Sequence, residues 1–278
     1  MCAPTDVLTT SDDKNDSRFT LTDTERRAVQ ALKEACDQEG VKYKHTFELA
    51  KYVLATHSLA DDSHPKAAKI RLQAALTRMK KRNAWREKYG MDQIDPHAAL
   101  VELESSYPEY FINEYLKDCH GHTVVAHRHA HPPTDFVCKS KEHLAKYLAA
   151  EQYRLDLAAA DLDEARRGIC LVTISQGQVT TKRAYKYIKL VAKTADNLKD
   201  MHSNRIKQIY SEVPPFLSHL IRPAKMLLPQ KIASRINVVG SMKDLDGFLE
   251  YGSKHKSAQE WALERLEKYQ ETVARLVI

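Results

Sequence analysis

The stretch CHGHTVVAHRHAHPP, residues 119–133, holds one cysteine and five histidines. Imidazole nitrogens and a thiolate are ligands for zinc, copper or haem iron, so the tract is a candidate metal or haem site. In an extended chain His127, His129 and His131 share one face with Val125, while Val124, Ala126, Arg128 and Ala130 share the other. Cys119, His120 or His122 could reach in from the turn before it. Against convergence, the first and fifth residues of a strand lie about 13 Å apart. No second cluster of cysteine or carboxylate at metal spacing accompanies it.

Other chemistry has less to build on. The chain contains no G-x-x-x-x-G-K-[ST], G-x-G-x-x-G, G-x-S-x-G or H-E-x-x-H, and no nucleophile-base pair or paired carboxylates stand out. An enzyme is therefore not expected. Five cysteines (Cys2, Cys36, Cys119, Cys138, Cys170), an odd number with no C-x-x-C, argue for a reducing, cytoplasmic compartment over a disulfide framework. The net charge of +6 suits an anionic partner such as a membrane surface without requiring nucleic acid, which is not an expected partner.

The 278 residues can bury a sizeable core, as one large domain or two unequal ones. The longest apolar runs fall far short of the roughly 18 residues of a spanning helix. The opening MCAPTDVLTTSDDKNDSRFT lacks an apolar centre and reads as part of a disordered polar tail over residues 1–21, not as a secretory signal. Thr22 and Glu25 have capping-box spacing before the apolar series Val29, Leu32, Ala35, and Gly40 ends that helix. Residues 46–57 set Phe47, Leu49, Ala50, Val53 and Leu54 at helical spacing. A third helix over residues 65–89 is expected to bury Ile70, Ala74, Leu76 or Thr77 and Trp85, and to display Arg78, Lys80, Lys81, Arg82, Arg86 and Lys88 as a solvated basic face.

Beyond Asp95-Pro96 strands and helices alternate, the pattern of a mixed or parallel sheet with helices on it. Strands are expected at residues 123–126, 169–174, 209–213 and 236–239, and helices at 140–165 and 182–200. A terminal helix from residue 257 offers Trp261, Leu263, Leu266, Val273 and Leu276 for packing or for contact with a partner.

Residues 209–240, IYSEVPPFLSHLIRPAKMLLPQKIASRINVVG, resemble the closing half of the CRAL-TRIO lipid-binding and transfer family, whose members include tocopherol-transfer and retinaldehyde-binding proteins. The matching positions are Pro214 or Pro215, Phe216, Lys225, Leu228, Lys231-Ile232, Arg235-Ile236 and Gly240. Trp85-Arg86 is similar to the pair closing the family's N-terminal helical module. The run from Asp118 through Gly121 to Val124-Val125 is similar to its strand entry, with Thr123 replacing proline. In family order these pieces span residues 25–255. The departures are those of a divergent member: Thr173 stands at the family's aspartate position, Gly177 is displaced by about one residue, and Pro223 interrupts the helix that should form the gate.

The resemblance implies an α/β fold: an N-terminal helical module over residues 22–95, a CRAL-TRIO domain over 96–255 with a mostly parallel mixed sheet floor, flanking helices and a mobile gate helix over an apolar pocket, and a C-terminal helix over 256–278. It implies one hydrophobic lipid held from water, because exposing a C18 chain costs about 14 kcal/mol at ~0.8 per CH₂. Pocket or gate residues are then Phe216, Leu217, Leu220, Ile221 and Leu227, with Pro223 shortening or kinking the gate at roughly 3 kcal/mol or more. Arg205, Lys231 and Arg235 align with basic positions that grip phosphoinositide headgroups in the family. A fourth such position falls on Leu54, one turn from Lys51, so the basic cleft is incomplete. Lys186, Lys189 and Lys193 add a basic stripe. A neutral prenyl, retinoid or sterol-like ligand fits better than phosphatidylinositol, since Ile232 stands where that headgroup's threonine is expected; an unusual phospholipid is the alternative. In this setting the histidines line the pocket mouth or face solvent. The alternatives are a lipid-occupancy sensor, and a haem or metal protein on the same fold.

Overall fold

Four parallel strands run side by side in one sheet, and helices from both ends of the chain share a hydrophobic core with one of its faces. The computed structural model describes residues 16–57, 66–112, 115–128, 133–174, 206–212, 234–251 and 257–276. In chain order these form α1 (Asp23–Glu39), α2 (Thr46–Thr56), α3 (Ala67–Lys88), α4 (Pro96–Ser106), β1 (Phe111–Ile112), β2 (Tyr115–Asp118), β3 (Thr123–Arg128), α5 (Thr134–Lys139), α6 (Lys141–Leu157), α7 (Leu162–Arg167), β4 (Ile169–Ile174), β5 (Ile206–Glu212), β6 (Ile236–Val239), β7 (Leu249–Tyr251) and α8 (Ala258–Arg275). The fold is mixed α/β. No described helix is long and apolar enough to cross a membrane.

The helix ends follow local chemistry. The capping box forms in both directions, with Glu25 N donating to Thr22 Oγ1 and Thr22 N donating to Glu25 Oε2, and Gly40 closes α1 at φ 65°, a conformation that suits glycine. Asp95-Pro96, read from sequence only as a change of texture, is an N-cap followed by proline at the first helical position, and it starts α4. The single helix expected over 140–165 is two, because Asp161 caps a new start at Leu162.

The sheet order is β6-β5-β4-β3-β2-β7, with β1 also paired to β3. β3 to β6 run parallel, while β1, β2 and β7 add antiparallel pairs. The expected strand at 123–126 extends to Arg128, that at 209–213 spans Ile206–Glu212, and those at 169–174 and 236–239 are as expected. Register and the two-residue alternation of side chains define two faces. Ile112, Val124, Ala126, Cys170, Val172, Ile174 and Tyr210 share the far face, buried with Leu245 and Leu249. Val125 and Ile169 share the other with the main core, which includes Leu100, Leu103, Leu148 and Trp261 from α4, α6 and α8.

Two expectations for α3 change. Ile70 is 41% exposed, so it is not a core residue. Arg82 is buried and paired with Glu48 and Asp156, so it does not belong to the solvated basic face. On α8, Trp261 is buried as expected while Leu263 stays exposed.

Candidate functional site

The face that carries the main core is covered unevenly. Near β3 it lies under the helices, with Val125 buried. Across β4, β5 and β6 its side chains form successive rows set by the parallel register: Leu171 pairs with Ile209 and Ile209 with Ile236, and the next row runs His127, Thr173, Ser211, Val238. Leu171, Ile209 and Ile236 are half-buried, and Val238 is 37% exposed. Among the described residues Ile209, Ile236 and Val238 pack into neither core cluster. A β-bulge between Ile169 and Cys170 keeps Ile209 on this face, because it advances β5 by one residue after Ile206. Sequence alternation alone would not have placed it.

The polar row lies at the carboxyl ends of the parallel strands. Thr173 Oγ1 donates to Ser211 Oγ at 2.9 Å, and the carbonyl of Tyr210 lies 3.4 Å away. At the head of the row His127 is buried under α6, not at solvent. Its Nε2 lies 2.7 Å from Glu151 Oε2 and 2.8 Å from Arg154 Nη1, so one imidazole nitrogen faces a carboxylate and a guanidinium whose charges offset. Arg154 is almost wholly buried, donates to the Ala126 carbonyl at 3.4 Å, and stacks over Phe111 and Trp261 at 4.5 and 5.8 Å. Burial pushes its pKa below the ordinary arginine range, and Glu151 opposes that shift. Sequence reasoning missed Glu151, Arg154 and Ser211. In EQYRLDL the charged pair reads as a solvated helix face, and Ser211 gains meaning only from its strand partner.

His127 shares its face with Val125, as expected, but its contacts are those of a packed interior residue. His129 and His131 lie outside the described residues. Among the described residues no group of three or more His, Cys, Asp or Glu side chains could hold a metal ion. Burial pushes the thiols of Cys36 and Cys170 well above the ordinary cysteine range, so neither is a ready thiolate.

The gate residues Phe216, Leu217, Leu220 and Ile221, with Leu227, lie outside the described residues, as do Arg205, Lys231 and the stripe Lys186, Lys189 and Lys193. Arg235 is described. Its Nη1 donates to the Ile206 carbonyl at 2.7 Å, which ties it to the amino end of β5, about 16 Å along that strand from Ser211. Lys51, one turn from Leu54, turns inward. It is 2% exposed, donates to the Asp156 carbonyl at 2.7 Å, and lies over the rings of Tyr269 and Phe47. Clefts elsewhere among the described residues belong to the helical part: about 950 Å³ among α4, α6 and the turn after α3, about 710 Å³ along α3, and about 460 Å³ among α1, α2 and α3.

No family model matches the chain, and no curated protein matches it in sequence. Among solved structures the chain is similar to one titled "Crystal structure of Sfh5", at 15% identity and a TM-score of 0.47, over 91% of this chain and 99% of that one.

Proposed function

We propose that this chain binds a single hydrophobic lipid on the open strand face of β4, β5 and β6 and moves it between membranes or presents it at one. The carrying observation is the aliphatic strip of Leu171, Ile209, Ile236 and Val238 on a parallel sheet. Parallel sheets are ordinarily covered on both faces. Among the described residues the far face is buried at Cys170, Val172 and Tyr210, while this face leaves Leu171, Ile209 and Ile236 half-buried and Val238 exposed, apolar surface that gains about 25 cal/mol per Å² when a ligand removes it from water. The sequence resemblance over residues 25–255 implies a sheet as the floor of a lipid site. A bilayer offers the chain nearly the same solvent as the floor, so exchange needs little net free energy once the two touch.

Contact with an anionic, cytoplasmic membrane surface is assigned to Arg205, Lys231 and Arg235, each basic residue near such a surface contributing about 1 kcal/mol. Residues 216–224 are assigned as the cover. No catalysis is assigned. The reading is tested by mass spectrometry of the organic extract from natively purified protein. One lipid species near stoichiometric amount is expected, and Val238→Asp, which sets a carboxylate on the floor, should remove most of it. Reproducible absence of lipid, together with no uptake from vesicles of phosphatidylcholine, sinks the proposal.

A further inference from the structure

The row His127, Thr173, Ser211 sits beside an aliphatic floor, although nothing in a β-sheet requires hydroxyl side chains there. Thr173 and Ser211 share one hydrogen bond, which uses Thr173's proton and one lone pair on Ser211 Oγ. No acceptor among the described residues takes Ser211's own proton. Thr173 Oγ1 keeps lone pairs to accept a bond. Both side chains are half-buried, so this spare capacity is within reach of a molecule lying on the floor. The charges next to the row offset. The Arg154 guanidinium and the Glu151 carboxylate both meet His127 Nε2, and Arg128 and Glu212 fall on the far face.

We infer that Thr173 and Ser211 form the polar end of the lipid site and select a neutral amphiphile with a hydroxyl or carbonyl head, over a hydrocarbon of equal length and over a phosphodiester. The inference rests on the lipid-binding reading above. Ser211 Oγ donates to the ligand oxygen, and a ligand hydroxyl returns a proton to Thr173 Oγ1. The chain lies over Leu171, Ile209 and Ile236. A hydrocarbon makes no bond to Ser211 Oγ, and a phosphodiester brings a charge that no uncompensated cation among the described residues on this face meets.

The experiment is displacement of bound N-phenyl-1-naphthylamine from the full chain by dodecan-1-ol, dodecane and didodecyl phosphate. The alcohol should displace the dye at about ten-fold lower concentration than either competitor, the worth of roughly one retained neutral hydrogen bond. Thr173→Val with Ser211→Ala keeps side-chain volume and β-propensity, and should bring alcohol and alkane within about two-fold of each other. Thr173→Ser, which keeps the hydroxyl, should retain the preference and so separates recognition from folding. Equal displacement by all three probes in the unmodified protein, or a preference that survives the double substitution, overturns the inference while leaving lipid binding standing. A dye that never binds, or that no probe displaces, overturns the lipid-binding reading itself.

Discussion

Replacing Glu164 with glutamine should loosen the C-terminal helix from the rest of the molecule. Glu164 Oε1 accepts from Arg265 Nη1 at 2.9 Å and Lys268 Nζ at 2.8 Å, and Oε2 accepts from the Ala160 amide and Arg265 Nη2. Arg265 also donates to the Leu157 and Ala158 carbonyls, so one guanidinium ties α8 to the corner between α6 and α7. Burial alone would raise the carboxyl's pKa, but Arg265 and Lys268 outweigh it and hold the group at about 2 against an ordinary 4.5. The folded pKa lies below the unfolded one, so the unfolded chain binds more protons between those limits. The contribution is therefore complete above about pH 4.5 and is lost as pH falls toward 2. At 1.36 kcal/mol per pKa unit it amounts to roughly 3 kcal/mol at pH 7, more than half of it gone by about pH 3. Urea melts of both proteins at pH 7 and pH 3 check this. Glu164→Gln should lose about 3 kcal/mol at pH 7, and the gap should narrow at pH 3. A loss under about 1 kcal/mol at pH 7, or a gap independent of pH, refutes the reasoning.

Lys51 should act with the opposite sense. Burial lowers its pKa to about 8 from 10.5, so the folded protein sheds a proton that the unfolded chain keeps, and stability should rise by roughly 3 kcal/mol as pH climbs from about 8 to above 10. Lys51→Met should flatten that rise in melts across the same range; an unchanged slope would remove Lys51 as its source. Lys231→Ala with Arg235→Ala should weaken co-sedimentation with vesicles containing phosphatidylserine. It should also cost about 1 kcal/mol of stability from the bond to Ile206 O. Undiminished sedimentation takes both residues out of docking.

Local chemistry was legible where neighbours in sequence decide it. The Thr22–Glu25 box, the Gly40 stop, and the strands at 169–174 and 236–239 all depend on residues a few positions apart. What failed did so because partners came from elsewhere in the chain. Arg82 looked solvated until Glu48, 34 residues earlier, took it inside, and no local pattern showed that Asp156 and Tyr269 would enclose Lys51. The histidine tract shows the same division. Its alternation correctly set His127 beside Val125, but only α6, arriving with Glu151 and Arg154, made that residue interior.

Taken alone, the sequence determined that this is an α/β chain with helices at both ends and a run of strands in between, since hydrophobic period and caps are local properties. Tertiary structure decided which strand face is open and which hydroxyls meet on it. Register and a single bulge in β5 pair Thr173 with Ser211 and put Ile209 beside Leu171, and these pairings join positions some 38 residues apart that no local pattern links.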